Sequence, residues 1–297
     1  MKRLRLVGWS LLLACVLPVW AGRPDALTIA TYNIQNYGPA NRMTADGFRP
    51  SYPKPDEEKQ ALRQVLRAID ADVLVLQEMG PAEYLEELQR DLAAEGLDYP
   101  HRFLAVGADR ERHVALLSRV PLRRTQTLAP THRYQRKLEP VKRGVLHVEL
   151  ETSRGPVALF GLHLKSRRTE RKDDPEAREQ RAGEAAAVRD AVLKQFPDPS
   201  QARFLILGDL NDVKTSRALR LLQKRGNQRV CDPVPAFDSR KESWTYHYAR
   251  EDTYSRIDYV LASPAVRPDV LGDGTIHDGP GVNEASDHRP VVVFLRK

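Results

Sequence analysis

Six times along this 297-residue chain, a short apolar run stops on a residue that does not belong in a core. TIATYN ends on Asn33 and DVLVLQE on Glu78, and His163 lies within FGLHLKS. FLILG gives way to Asp209, Asn211 and Asp212; Asp258 lies within SRIDYVL; Asp287 and His288 precede PVVVFL. Runs of this length, bounded by polar turns, read as buried strands. Burying an unpaired charge among them costs several kcal/mol, so core strands seldom take such groups without a reason.

Singly, each has a plain explanation. Asp209 to Asp212 could be a polar turn, Glu78 a cap for the helix after Pro81, and His163 a satisfied core histidine. Asp258 could pair with Arg256 or Arg289.

The rest of the chain reads as mixed α/β. Strand patterns over 27–33 and 73–77 alternate with helical periods over 56–69 and 82–94. Further strand-like runs fall at 102–106, 113–118, 144–151, 157–164, 203–207, 244–248, 257–262 and 290–295, with helices at 174–194 and 216–224. There is no evident linker, which points to a single domain over 22–297 with two sheets packed together and helices outside.

The N-terminus stands apart. Lys2, Arg3 and Arg5 precede an apolar run through Trp20, and Val19-Trp20-Ala21 supplies cleavage spacing before polar residues. Residues 1–21 are expected to be a secretory signal peptide, too short for a comfortable membrane span, so the protein is expected to be exported to a periplasmic or extracellular space. Leu12-Leu13-Ala14-Cys15 offers a second reading, with Cys15 as a lipid anchor. Cys15 and Cys231 are the only cysteines, so the mature chain has no intramolecular disulfide, and Cys231 reads as a core or half-buried thiol.

The formal charge is +7, and its distribution is uneven. Between Arg102 and Arg143 stand eleven Lys/Arg against three acids, and Lys165 to Lys172 is dense again. Such surface suits a polyanion, whose phosphates release counterions when neutralised. Charge alone does not separate that reading from a soluble, Arg-rich face.

Together the strand-end residues describe one chemistry. Asn, Glu and Asp oxygens are hard ligands, right for Mg²⁺, Mn²⁺ or Ca²⁺, and no cysteine set for zinc exists. Histidines beside carboxylates supply a general base and an acid. Asp209 and Asn211 are two apart, so in extended backbone one orients a water while the other donates its amide N–H to a phosphate. These are the parts for attack of water on phosphorus without a covalent intermediate.

The blocks TYNIQN, DVLVLQE, GLHLKS, ILGDLND, SRIDYVL and SDHRP, in this order, resemble the endonuclease/exonuclease/phosphatase superfamily, the deoxyribonuclease I-like group. The resemblance spans 27–295 and implies a four-layer α/β sandwich, two mixed and largely antiparallel sheets face to face with helices outside. It also implies roles. Glu78 would be the main metal ligand with Asn33 and Asp287 beside it, and His288, paired with Asp258, the expected general base. Asp209 would orient the water, Asn211 would bind the phosphate, and His163 would be the second histidine. Arg143 would be a further phosphate contact, and Asp212 matches no role. Gln35 stands where several relatives carry an acid, which favours a single ion.

What the phosphate is attached to does not follow from the resemblance. Gly38–Pro55 and Thr131–Lys142 read as polar inserts, without the exposed apolar hairpin that a lipid-acting member needs. The basic stretches favour DNA or RNA. Alternatives are a smaller phosphoester or phospholipid head group, and a silent phosphate-binding module. No protein partner is implied, and monomer is the default.

Overall fold

The computed structural model describes residues 25–44 and 46–297. The expected signal peptide and Cys15 lie outside the described residues. Two large sheets form the centre. The first has seven strands in the order Ala236–Phe237, Gly274–Ile276, Val291–Arg296, Ala26–Tyr37, Val73–Met79, His113–Ser118, His101–Ala105. The second has six, in the order Asp232–Pro233, Asp258–Ala262, Phe204–Asp209, Val157–His163, Val145–Leu150, Leu122–Leu128.

The sheets face each other through Leu27, Ile29, Val73 and Val75 on one side and Leu159, Leu205, Leu207 and Val260 on the other. Helices Asp56–Ile69 and Ala82–Ala94 cover the outside of the first sheet, and Arg178–Gln195 and Arg217–Gln223 that of the second. This is the four-layer sandwich.

The helices follow their sequence periods. Asp56, Glu57 and Glu58 sit in the first turn of Asp56–Ile69, favourable at the positive end of the dipole, and Leu62, Val65, Leu66 and Ile69 face the sheet. The third helix starts later than its pattern suggests. After Pro175 the chain makes a separate turn with Glu176 and Ala177 at positive φ, and the Asp174 carboxylate accepts the N–Hs of Glu179 and Gln180.

Alternation explains where the polar ends point. Residues 157 and 159, 205 and 207, and 260 and 262 face the other sheet, so His163, Asp209 and Asp258 face it too. Strand pairing sets these three side by side, His163 opposite Asp209 and Asp209 opposite Asp258. Parallel neighbours end at the same edge and antiparallel ones start there, so one rim collects all the polar ends. Below it, Gly161 lets the sheets close up, since a Cβ there would meet Val75 Cγ1 at 2.8 Å. Gly208 has φ +142, and a Cβ would lie 2.0 Å from the Leu162 carbonyl oxygen.

The two stretches read as polar inserts are hairpins. Ala40–Thr44 pairs with Gly47–Tyr52, and Thr131–Tyr134 with Lys137–Pro140. The first does carry apolar exposure: Met43 and Phe48 are paired across it, 77% and 62% exposed. The expectation that this stretch lacks such a surface is therefore corrected; Met and Phe spaced five apart show no strand period until the hairpin pairs them. Part of the basic stretch from Arg102 to Arg143 is also ion-paired: Arg102 with Glu86, Arg119 with Asp70, Arg123 with Glu151, Arg124 with Glu149. Among the described residues, no helix is long and apolar enough to cross a membrane.

Candidate active site

Asp209 is the hub. One oxygen accepts the Asn211 backbone N–H at 2.8 Å; the other accepts Asn33 Nδ2 at 3.0 Å and Asn211 Nδ2 at 3.2 Å. His163 Nε2 lies 3.6 Å from that second oxygen and His288 Nε2 3.9 Å. The Phe204–Asp209 strand supplies the rigid support and Asn211, at φ +51, turns the chain back over it.

His288 is held on its other side. Its Nδ1 lies 2.9 Å from Asp258 Oδ2, and the backbone N–H of His288 donates to Ser286 Oγ at 3.1 Å, which in turn donates to the Asn33 carbonyl. Thr245 Oγ1 accepts the N–Hs of Ile257 and Asp258, and the Tyr246 ring packs 4.8 Å from the imidazole. Asp258 pairs with neither arginine that sequence offers: Arg256 donates to the Ala236 carbonyl and Arg289 to Asp238. Burial would push the His288 pKa down, but Asp258 and Asp209 outweigh it and raise it. Asp209 is raised as well, by burial and then by Asp258. Asp209, Asp258 and His288 each bring an atom within 4.8 Å of the others. An imidazole already lying between two carboxylates calls for a proton there, not a cation.

Facing this group is Glu78. Alternation would place it on the outer, helix-covered face with Leu74 and Leu76. A register shift between Gln77 and Met79, with Glu78 at φ +64, turns it instead to the rim. The helix Ala82–Ala94 has no side-chain cap, so Glu78 does not cap it. Its Oε2 accepts the Asn36 N–H at 3.0 Å, and its Oε1 lies 3.3 Å from Asn33 Nδ2 and 3.9 Å from His163 Nε2. The Asp287 carboxyl is raised by burial, with Glu78 pushing the same way and His288 opposing. Carboxylates crowded at one rim, with oxygen-only donors, fit a hard divalent cation held by Glu78, Asp287 and Asn33. Asn33 turns its amide nitrogen towards Glu78 and Asp209 and its oxygen towards the Gln35 N–H at 3.1 Å; half a turn of the amide exchanges the two.

Three further placements matter. His163 is lowered well below its ordinary pKa by burial and then by Arg143, His288, Arg112 and Lys165, so it is a neutral imidazole. Asn211 commits both amide hydrogens, to the Leu164 carbonyl at 3.0 Å and to Asp209, rather than leaving one free. Arg143 is 8% exposed, with Nε 3.2 Å from Asp109 Oδ2.

Sequence reasoning missed Asn36 and Arg112, whose Nε donates to Asn36 Oδ1 at 2.9 Å. It also missed Arg181, a buried residue whose Nε lies 2.9 Å from Asp212 Oδ2. Asp212 is thus an ion-pair partner, not only a turn residue. Of the aromatics near the site, Tyr246 touches it, whereas Trp244, His247 and Tyr254 stack together beside Arg289. Cys231 is buried, its pKa raised by desolvation.

Comparison with known proteins agrees with the geometry. No curated protein sequence matches the chain. Sphingomyelinase C from Streptomyces griseocarneus is similar in structure, with 20% identity, 91% of this chain and 99% of that one covered, and a TM-score of 0.62. Beta toxin from Staphylococcus aureus, in a variant with bound magnesium ions, gives 16%, 91%, 100% and 0.64. Truncated TDP2 from Caenorhabditis elegans gives 15%, 92%, 98% and 0.60. At these identities the likeness concerns the fold. Residues 30–288 match the Endonuclease/Exonuclease/phosphatase family, and with that match the chain belongs to this family of metal-dependent phosphoester hydrolases.

Proposed function

We propose that the chain is an exported phosphodiesterase that cleaves nucleic acid, using one Mg²⁺ ion. The observation that carries the hydrolytic part is the in-register row His163, Asp209, Asp258, closed by His288 and facing Glu78 and Asp287. Glu78, Asp287 and Asn33 would hold the cation, which would supply positive charge against the negative charge that develops during hydrolysis.

The remaining work falls to side chains. Asp209, its pKa raised by burial, holds a water and takes its proton as the water oxygen bonds to phosphorus and the ester P–O bond breaks. His288, between Asp258 and Asp209, is supported as an imidazolium that donates from Nε2 to a phosphate oxygen. This moves the general-base role expected of His288 to Asp209. The neutral His163 offers a second donor. Asn211 redirects its longer hydrogen bond, the one to Asp209, onto the phosphate, and Arg143 supplies charge. The completeness of this set is what a silent binding module would lack.

The nucleic-acid reading is supported by the arginines at the rim, Arg112 and Arg143. A second reading, a phospholipid head group, is favoured by the exposed Met43 and Phe48. The test is a panel of plasmid DNA, RNA, bis-p-nitrophenyl phosphate and sphingomyelin, with Mg²⁺ or with EDTA. Mg²⁺-dependent cleavage of nucleic acid is expected. Hydrolysis unaffected by EDTA overturns the metal chemistry, and sphingomyelin as sole substrate overturns the nuclease reading.

A further inference from the structure

We infer that Arg112 binds a second phosphate, next in line to the one hydrolysed, so that the site is built for phosphates in series along a polynucleotide strand. This rests on the phosphodiesterase reading above and names a subsite within it.

Arg112 belongs to a chain of contacts along one side of the carboxylate rim. Glu78 Oε2 accepts the Asn36 N–H at 3.0 Å, Asn36 Oδ1 accepts Arg112 Nε at 2.9 Å, and Arg112 NH1 lies 3.9 Å from Asp109 Oδ2. The same Asp109 oxygen lies 3.2 Å from Arg143 Nε. One carboxylate therefore stands between two guanidiniums and holds them side by side. Its other oxygen accepts the N–Hs of Glu111 and Arg112, and its backbone N–H donates to the Lys142 carbonyl at 2.8 Å. Gly107 fixes the two loops against each other: a Cβ there would lie 2.4 Å from the Arg143 carbonyl carbon.

The donors in this arrangement outnumber the acceptors. A guanidinium carries five N–H donors. Arg143 makes no hydrogen bond among the described residues: its Nε has only the ion pair with Asp109, and its NH1 is buried without a hydrogen-bond partner. Buried donors in that state are costly unless an acceptor arrives, and phosphate oxygens are the acceptors a guanidinium fork matches. Arg112 NH2 makes no hydrogen bond among the described residues either, and its side chain is 34% exposed, open to a ligand. Glu111 lies 3.6 Å from Arg112 NH1 but is 73% exposed, a weakly held counter-ion. With Arg143 on the scissile phosphate, Arg112 is placed for its neighbour. Both also act on His163, which places them within electrostatic reach of the reacting side chains.

The test compares Arg112→Ala and Arg112→Lys with the unaltered protein, all loaded with Mg²⁺ and checked by thermal unfolding. Substrates are an oligothymidylate, an inositol polyphosphate and bis-p-nitrophenyl phosphate, which has no second phosphate. For Arg112→Ala, kcat/KM on the oligothymidylate is expected to fall about tenfold further than on bis-p-nitrophenyl phosphate. The salt slope on the oligothymidylate should shrink by about one unit and return with Arg112→Lys. Equal falls on all substrates would show that Arg112 only braces Asn36, and no fall would remove it from the site; either overturns the inference. A selective loss confined to the inositol polyphosphate overturns the polynucleotide assignment. If the unaltered protein hydrolyses nothing, the phosphodiesterase reading fails by itself. The subsite is then read from fluorescence anisotropy of labelled oligothymidylate, where Arg112→Ala is expected to weaken binding about tenfold and unchanged affinity overturns the inference.

Discussion

Replacing Asp212 tests whether this residue seats the catalytic turn or merely decorates it. Arg181 is 1% exposed and reaches three acceptors: Asp212 Oδ2 at 2.9 Å, the Lys165 carbonyl at 3.1 Å and the Glu176 carbonyl at 2.9 Å. Asp212→Ala removes the only carboxylate among them and leaves a buried cation facing two carbonyls. Breaking a buried ion pair from one side costs about 3–5 kcal/mol. The two remaining carbonyls, and the 13% exposure of the Asp212 side chain, place this case at the low end, about 3 kcal/mol. At roughly 2–4 °C per kcal/mol for a domain of this size, Tm should drop by roughly 6–12 °C.

Arg181→Met removes the buried charge with it and leaves Asp212 near solvent and 3.7 Å from Arg167, so its cost should be clearly smaller. The double variant should then be less damaged than the two single losses combined, with a coupling of about 2 kcal/mol in urea unfolding. The assay is a double-mutant cycle by urea and thermal unfolding, with turnover measured alongside. Turnover should fall too, because Arg181 ties the Lys165 end of the His163 strand to the Asn211–Asp212 turn. An Asp212→Ala protein within about 1 kcal/mol of the unaltered one, with no coupling, would refute the reasoning.

Two other outcomes follow from the same geometry. Asp258→Asn removes the charge that holds His288 at 2.9 Å, so kcat should fall by about 10²–10⁴, and a rate within a factor of about three would dismiss the dyad. Stability should fall as well, because a buried ion pair is broken from one side, a loss that the imidazole limits by giving up its proton. Asp209, Asp287 and His288 all have folded pKa values raised above their ordinary 3.8, 3.8 and 6.5, so at these three groups the folded state binds more protons than the unfolded one. Their contribution to stability is fully present below the ordinary values and is lost as pH rises through the folded ones. Above the ordinary histidine value of 6.5, where the histidines that burial lowers (His113, His132, His147, His163 and His277) are neutral in both states, Tm in EDTA should therefore decline towards alkaline pH, and Mg²⁺ should raise it by more at the alkaline end. A Mg²⁺ effect that shrinks as pH rises would contradict the carboxylate assignment.

The parts of this site that sequence revealed are those carried by near neighbours in the chain. A run such as FLILGD shows both its burial and its polar end in six residues, and strand alternation then decides which face Asp209 takes. His163, Asp209 and Asp258 could be read this way because each continues an inward-facing apolar column. Glu78 could be found but not aimed: alternation points it outward, and only the bulge at Gln77–Met79 reverses it. The charge balance was hidden for a different reason. Arg102 to Arg143 reads as one basic block, yet its members separate on folding, four to acids on other elements (Glu86, Asp70, Glu151 and Glu149) and two to Asp109. Asp212 was taken for a turn residue because its partner, Arg181, lies thirty-one positions away on a helix whose pattern shows a charged surface.

The His288 role turned on the same limit. Its neighbour Asp287 is visible in the chain, but the two carboxylates that flank the ring arrive from other strands, Asp258 on Nδ1 and Asp209 beyond Nε2. The sequence reading already pairs His288 with Asp258; folding adds Asp209 beyond Nε2, and the two carboxylates together favour the charged imidazole. In the proposed mechanism the proton is therefore accepted by Asp209, whose carboxyl burial raises. The polar end of FLILGDLND is thus two devices in four residues. Asp209 and Asn211 line the candidate site, and Asp212 fastens the turn that carries them to the helix behind.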